Sequence, residues 1–176
     1  MRIDTYKFKL VKSTNDTAIS LIKKKNKKKG IIIAEKQISG RGQYGREWIS
    51  YKGNLFVSIF FNLENLKLSI KQLTKINAKI IIKALSSYYK KKIFVKKPND
   101  IIINKKKISG ILQEIIHHNN VRYIIVGIGL NLVKSPKIKG YPTTNLYDLT
   151  KKKINIYKFS TKLKKLYEEF IYIKKK

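Results

Sequence analysis

Four short apolar segments follow one another in the middle of the chain, and turn sequences separate them. The segments are residues 93–95, 101–103, 108–116 and 122–126. Two of the intervening sequences, Asn104-Lys105 and His118-Asn119-Asn120, have the composition of hairpin turns. Because strands joined by such short turns pair in the antiparallel sense, this region predicts an antiparallel sheet.

Helical periodicity on both sides of this region predicts helices that pack on the sheet. Apolar residues recur at three- and four-residue spacing from about residue 68 to residue 89, where we expect the longest helix. A second apolar stripe, typical of a final helix, comprises Phe159, Leu163, Leu166 and Phe170. Ser13 is placed to cap a shorter helix, and residues 31–34 and 55–61 are runs typical of buried strands. This order favours an α+β fold, a mixed, largely antiparallel sheet packed with helices, over strict βαβ alternation.

Length and composition narrow the class of protein. The 176 residues suffice for one domain with its own core and are few for two, and 43% of them are hydrophobic. No apolar run reaches the roughly 18 residues that a membrane span requires, and residues 1–4 do not resemble a signal peptide. The chain has no cysteine, which excludes disulfides, thiolate chemistry and the usual zinc ligands. We therefore expect one cytoplasmic domain without membrane association.

The charge of the chain is unusual. Lysine and arginine number 41 against 10 acidic residues, a formal net charge of +31, yet only four of the basic residues are arginine. Specific nucleic-acid recognition favours arginine, whose planar fork matches phosphate and guanine edges. We interpret the lysine excess as solvated surface and as the residue bias of an AT-rich genome. The resulting field attracts acidic partners and is sensitive to salt.

Residues 39–48 form the part of the chain richest in binding chemistry. They read Ser-Gly-Arg-Gly-Gln-Tyr-Gly-Arg-Glu-Trp. Three glycines let backbone amides approach a ligand, two arginines suit a carboxylate or phosphate, and Trp48 offers a flat face to a purine. The segment is not a Walker loop, because no Gly-Lys-Ser/Thr follows, and no helix opens after it as in a dinucleotide fingerprint. Taken alone, such a loop is equally typical of a flexible surface segment.

Three further motifs lie where predicted strands begin or end. Lys96-Lys97-Pro98-Asn99-Asp100 places a lysine, an amide and a carboxylate in one turn, which suits phosphates and Mg²⁺ but is also ordinary turn chemistry. Residues 107–114 read Lys-Ile-Ser-Gly-Ile-Leu-Gln-Glu, and residues 127–131 read Gly-Ile-Gly-Leu-Asn. Glycine within a strand marks a bulge or the close approach of a ligand or another backbone. Glu114 alone is as well explained by a position facing solvent.

These motifs and the helix start Ser13-Thr14-Asn15 occur in one order, and together they resemble the catalytic domain of biotin–protein ligases, within the biotin/lipoate ligase family. The resemblance extends from about Lys12 to Asn131. It implies the biotin/lipoate ligase core, a mixed sheet related to class II aminoacyl-tRNA synthetases. It also implies activation of biotin by ATP to biotinyl-5′-AMP, and transfer to a specific lysine of a biotin carboxyl carrier protein.

The resemblance also implies roles for individual residues. The implied biotin site comprises Ser13, Thr14, Asn15, Gln37, Gly40, Arg41, Lys96 and Gly110. The implied nucleotide site comprises Gly42, Gln43, Arg46, Trp48, Asn99 and Asn131. Arg41 and Lys96 are expected to be catalytic, since they would face the biotin carboxylate and the α-phosphate, and Asp100 is expected to bind Mg²⁺. The implied ligands are biotin, ATP and Mg²⁺, with no tightly bound prosthetic group.

The chain departs from the family pattern in places. Gln43 stands where many members have an arginine that helps to retain the adenylate, and Lys97 replaces the usual tryptophan. We expect residues 1–176 to form the catalytic domain alone, without an N-terminal helix-turn-helix or a C-terminal SH3-like barrel, as a monomer or homodimer. A lipoate ligase shares the fold but has a different arginine and glycine signature. The alternative that the charge alone suggests is a basic nucleic-acid-binding module.

Overall fold

The structure, a computed structural model, describes residues 2–64 and 66–175. These residues form seven strands, four α-helices and one 3₁₀ turn, Gln43–Gly45. In chain order the elements are β1 (Asp4–Val11), α1 (Thr14–Lys25), β2 (Lys29–Gln37), β3 (Leu55–Asn62), α2 (Ile70–Leu85), β4 (Phe94–Lys96), β5 (Asp100–Ile103), β6 (Lys106–His118), β7 (Val121–Leu130), α3 (Leu146–Thr150) and α4 (Ile156–Lys175). None of the helices in these ranges has the length and apolar character that crossing a membrane requires.

The strands form one sheet in the order β1-β2-β3-β7-β6-β5-β4. Within the described ranges β1 and β2 pair in parallel, and the other neighbours pair antiparallel. The expected mixed, largely antiparallel α+β sheet is confirmed. The two hairpin turns are also confirmed, because Asn104, Lys105, Asn119 and Asn120 all have positive φ, which tight hairpins require.

The two faces of the sheet are covered differently. On one face α2 and α4 pack over the main core, to which β7 contributes Ile124, Val126, Ile128 and Leu130. On the other face α1 covers a smaller cluster that includes Ile125. Successive side chains of a strand point to opposite faces, so the positions that follow Ile125 on the α1 side are Gly127 and Gly129. These glycines leave a hollow beside α1.

Several elements differ from the expectations. β1 was not expected, and its apolar residues Tyr6, Phe8 and Leu10 alternate with polar ones, as on an edge strand exposed to solvent. The short α3 was not expected either. The longest helix is α4, with 20 residues, and not α2, with 16, because α2 begins at Ile70 and ends at Leu85.

Candidate active site

A cavity of about 630 Å³ opens in the hollow beside α1. Its floor is the backbone of β6 and β7, and the Trp48 indole lies directly on it. A Cβ at Gly110 would be 2.8 Å from Trp48 Cζ3, and a Cβ at Gly129 would overlap the indole, so both positions require glycine. Trp48 Nε1 is buried and has no hydrogen-bond partner in the described part of the chain. A buried donor without a partner costs about 1–3 kcal/mol, so a ligand acceptor here would be stabilising.

All the predicted site residues except one line this cavity. The lining includes Ser13, Thr14, Asn15, Gln37, Arg41, Gly42, Gln43, Arg46, Trp48, Lys96, Asn99, Asp100, Gly110 and Asn131. Gly40 does not line it, and a Cβ there would be 2.5 Å from the Trp48 carbonyl oxygen and 2.8 Å from Gln37 Nε2. Gly40 allows the loop to pack against its own end, and its contact with biotin stays a prediction.

The start of α1 forms an uncharged wall of the cavity. Ser13 is the N-cap of the helix. At the end of β2, Gln37 Oε1 accepts hydrogen bonds from Thr14 N at 2.9 Å and from Thr14 Oγ1 at 3.1 Å. Asn15 Oδ1 accepts from Ser58 Oγ at 2.5 Å. Since these five polar residues are buried, their donors and acceptors are held in fixed directions.

The loop of residues 39–48 closes on itself over this wall. Gly42 N donates to the Arg46 carbonyl at 2.7 Å, and Trp48 N donates to the Gly40 carbonyl at 2.8 Å. The turn between them has positive φ at Tyr44 as well as at the glycine that follows. The expected glycine-bearing binding loop is thus a tight ribbon that projects Arg41 toward α1 and lays Trp48 on the sheet.

Arg41 is held by two carboxylates. Its guanidinium donates to both oxygens of Glu114 at 3.0 and 2.9 Å, and to Asp16 Oδ1 at 2.8 Å. Asn15 Nδ2 donates to Glu114 Oε2 at 2.5 Å. Glu114 therefore belongs to the site side of the sheet, and the alternative that it simply faces solvent is wrong. The bidentate contact fixes the plane of the Arg41 guanidinium beside the cavity.

Lys107 is a cation of the site that the sequence did not single out. Its Nζ lies 2.8 Å from Asp100 Oδ1, an ion pair without hydrogen-bond geometry, and 5.2 Å from the centre of the Trp48 ring. The Tyr141 hydroxyl donates to the second oxygen of Asp100 at 2.5 Å. Burial, followed by this hydrogen bond, raises the pKa of Tyr141 to about 12. Tyr141 is therefore a protonated donor at neutral pH.

Lys96 lies at the rim of the cavity, not in its depth. Its side chain is exposed, and its Nζ is 4.5 Å from the centre of the Tyr141 ring. Asn99 Nδ2 donates to a β6 carbonyl at 3.0 Å, which ties the turn before β5 to the floor. Asn131 is buried, and its Nδ2 donates at 3.1 Å to a carbonyl of the segment after β7. Both amides are anchored, which limits how they can turn toward a ligand.

The residues around Asp100 do not fit a magnesium site built by the protein. Lys107 and Tyr141 already engage both carboxylate oxygens. No cluster of three or more histidine, aspartate or glutamate side chains capable of holding a metal occurs in residues 2–64 and 66–175. In the structure Asp100 anchors Lys107, and the expected Mg²⁺-binding role of Asp100 stays a prediction.

Comparison with known proteins agrees with this geometry. The profile of the biotin/lipoate A/B protein ligase family matches residues 7–131. The chain belongs to this family. The match begins in β1 and ends at Asn131, so it includes the loop of residues 39–48, the Lys96–Asp100 turn and the glycine-bearing strands. The match therefore covers the elements that line the cavity up to Asn131, whereas residues 136–143, which also line it, lie beyond the match.

Individual members of the ligase family resemble the chain at moderate identity. The bifunctional ligase/repressor BirA of Bacillus subtilis is 33% identical over 129 residues, which are 72% of this chain and 40% of that protein. The biotin–[acetyl-CoA-carboxylase] ligase of Paracoccus denitrificans is 32% identical over 108 residues, 60% of this chain and 45% of that protein. The chain thus spans less than half the length of these two relatives. The biotin protein ligase of Aquifex aeolicus, solved in complex with biotin and ATP, superposes with a TM-score of 0.79 at 27% identity, covering 94% of this chain and 69% of that one.

Proposed function

We propose that the chain uses ATP to activate biotin as biotinyl-5′-AMP and then transfers biotin to a lysine of a biotin carboxyl carrier protein. The observation that carries the proposal is one cavity with an uncharged polar wall at α1, a glycine floor covered by Trp48, and cations at its mouth and base. The names of relatives, which are biotin ligases, and the biotin- and ATP-bound structural neighbour support the same reading. A cytoplasmic location stays a prediction.

The uncharged wall suits the head of biotin. A cyclic urea presents two N–H donors and one carbonyl acceptor, and it carries no charge. Ser13, Thr14, Asn15 and Gln37 offer hydroxyl and amide groups whose positions are fixed by the bonds described above. These neutral side chains are already held in place, so they lose little conformational entropy when a neutral polar ligand binds to them. Leu112 of β6 also lines the cavity and offers apolar surface to the rest of the ligand.

The cations suit the first chemical step, in which two anions must meet. One biotin carboxylate oxygen attacks the α-phosphorus of ATP, a P–O bond forms, and the P–O bond to the departing pyrophosphate breaks. Negative charge accumulates between the carboxylate and the α-phosphate in the transition state. Arg41, Lys96 and Lys107 all line the cavity, and preorganised charges of this kind would stabilise such a transition state.

The nucleotide is proposed to bind against Trp48, with Gly42, Gln43 and Arg46 of the same loop, and with Asn99 and Asn131 from the opposite side. The buried Trp48 Nε1, which has no hydrogen-bond partner in the described part of the chain, supports a ligand acceptor at this position.

In the second step the acceptor amine attacks the adenylate carbonyl, the N–C bond forms and the C–O bond to AMP breaks. AMP leaves as a phosphate anion, the neutral amine loses one proton to solvent, and the amide nitrogen keeps the other hydrogen. Closure of residues 39–48 would keep water from the adenylate.

A calorimetric titration tests the ligand assignment. Biotin should bind saturably to the chain, and an equal concentration of lipoate should leave that binding unchanged. The chain contains one tryptophan, so quenching of Trp48 fluorescence by ATP would report the second ligand in the same cavity. Displacement of biotin by lipoate at similar concentration would reject the biotin assignment and favour a lipoate ligase of the same fold.

A further inference from the structure

Tyr141 lines the cavity from a segment that lies beyond the family match. The match ends at Asn131, and Tyr141 follows it in the stretch between β7 and α3. Backbone bonds fix this stretch to one position of β6. Lys107 N donates to the Pro142 carbonyl at 2.9 Å, and Thr144 N donates to the Lys107 carbonyl at 2.9 Å. The backbone next to Tyr141 is therefore held against the strand position that carries Lys107.

The Tyr141 hydroxyl makes the hydrogen bond that orients Asp100. It donates to Asp100 Oδ2 at 2.5 Å. Within residues 2–64 and 66–175 this is the only hydrogen bond of the Asp100 carboxylate, because Asp100 Oδ1 has none. That second oxygen lies 2.8 Å from Lys107 Nζ. The bond that sets the plane of the carboxylate therefore also sets where the Lys107 ammonium is held.

The ring of Tyr141 is close to two cations of the cavity. Lys96 Nζ is 4.5 Å from the ring centre, and Lys107 Nζ is 5.6 Å from it. An ammonium group within about 6 Å of an aromatic ring centre is attracted to the face of the ring. In the described part of the chain this ring is the only partner of the Lys96 ammonium. Tyr141 thus contacts both lysines to which the proposed reaction gives a charge-neutralising role.

We propose that Tyr141 is a positioning residue for adenylate formation: its hydroxyl orients Asp100 and thereby Lys107, and its ring restrains Lys96. The proposal rests on the proposed function, since it concerns the cations that would meet the biotin carboxylate and the α-phosphate. Like charges repel, and lysine side chains are long and flexible, so two unrestrained ammonium groups turn apart toward solvent. One side chain that restrains both keeps their charge in the cavity before the substrates react, as preorganised stabilisation requires.

Two variants separate the hydroxyl of Tyr141 from its ring. Tyr141→Phe removes the bond to Asp100 and keeps the ring, whereas Tyr141→Leu removes both. The matched controls are Tyr157→Phe and Tyr157→Leu, because Tyr157 makes the same pair of contacts without lining the cavity. Its hydroxyl donates to Glu35 Oε1 at 3.1 Å, and its ring centre lies 4.8 Å from Lys7 Nζ.

Pyrophosphate release in a single turnover, with saturating biotin and ATP, measures the effect on the reaction. Tyr141→Phe should lower the rate constant about tenfold, which is less than the loss of about 10²–10³ expected when a stabilising group is removed altogether. Tyr141→Leu should lower it further, because Lys96 is also released. The dissociation constant of ATP should stay within about twofold in Tyr141→Phe, and both controls should react within about twofold of the wild-type rate.

A double-mutant cycle distinguishes positioning from a general effect on the fold. In the background Lys107→Met/Asp100→Asn the hydroxyl has no ion pair to orient, so adding Tyr141→Phe should change the rate by less than about twofold. A hydroxyl that only stabilises the fold would cause the same loss in both backgrounds, and that result would overturn the proposal. A folded Tyr141→Phe variant with the wild-type rate would overturn it too.

The chemical reactivity of Lys107 tests the positioning without the reaction. Acetic anhydride acylates accessible amines, and peptide mass spectrometry reports each lysine separately. Labelling of Lys107 should become at least about twofold faster in Tyr141→Phe and stay unchanged in Tyr157→Phe, since only the first variant frees the ion pair. Labelling that is no faster in Tyr141→Phe would contradict the positioning role. Faster labelling in a chain that releases no pyrophosphate with biotin would reject the proposed function and leave Tyr141 as the residue that positions Lys107.

Discussion

Lys107→Met removes the least exposed of the lysine and arginine side chains that line the cavity. Its charge lies between Asp100 and the Trp48 ring, where burial keeps water from screening it. Loss of a preorganised group that stabilises developing charge costs about 10²–10³ in rate, or roughly 3–4 kcal/mol. Lys96 is exposed at the rim, so solvent screens it and Lys96→Met should cost about tenfold. The assay is pyrophosphate release in a single turnover with saturating biotin and ATP.

A structural effect must be separated from this catalytic one. Lys107→Met leaves the Asp100 carboxylate without its cation, and breaking a buried ion pair costs up to about 3–5 kcal/mol of stability. Lys107→Met/Asp100→Asn removes both charges and should restore the free energy of unfolding while remaining slow. If this double variant is folded and releases pyrophosphate at nearly the wild-type rate, the charge-neutralising role of Lys107 is refuted.

Three more predictions follow from contacts in the site. Because folding raises the pKa of Tyr141 from 10.0 to about 12, the stabilisation that the Tyr141 hydroxyl provides is complete below pH 10 and is lost as the pH rises through 12. The difference in unfolding free energy between wild type and Tyr141→Phe should therefore narrow between pH 10 and pH 12. A difference that stays constant over this interval would contradict the pKa shift. Gly129→Ala should displace Trp48, shift its fluorescence and weaken ATP binding at least about tenfold, whereas unchanged emission and affinity would contradict the packing described. Glu114→Gln should release Arg41 and speed hydrogen exchange of residues 40–48 in the empty protein, and equal exchange in both proteins would show that the ion pair does not hold the loop.

Much of the fold could be predicted because buried strands and helices show apolar residues in continuous runs or at regular spacing in the sequence. β3 is buried along its whole length and forms a continuous apolar run, and the α4 stripe follows the helical repeat. β1 alternates apolar and polar residues, so its strand period could have been recognised, although Phe8 and Leu10 remain exposed at the sheet edge. The five-residue α3 is too short to show a helical period, so its N-cap, Asn145, was its clearest sign.

The site could be predicted as a set of residues but not as a set of contacts. The order of the motifs identified 14 of the residues that line the cavity, since each motif ends or begins a strand at the same end of the sheet. The pairing of Asp100 with Tyr141 depends on the segment after β7, which has no periodicity and reaches Asp100 across 41 residues. Lys107 could have been selected from its place three residues before Gly110. Strand alternation places Glu114 on the same face as Gly110, but its contact with Arg41 could not be predicted, because Arg41 lies in a loop without periodicity.

The most direct test of the central claim is detection of biotinyl-5′-AMP by mass spectrometry after the purified chain is mixed with biotin, ATP and magnesium salt. The account predicts adenylate and pyrophosphate in equal amounts, a much slower reaction with Lys107→Met, and no adenylate when lipoate replaces biotin. A folded chain that binds both biotin and ATP but forms no biotinyl-5′-AMP would contradict it.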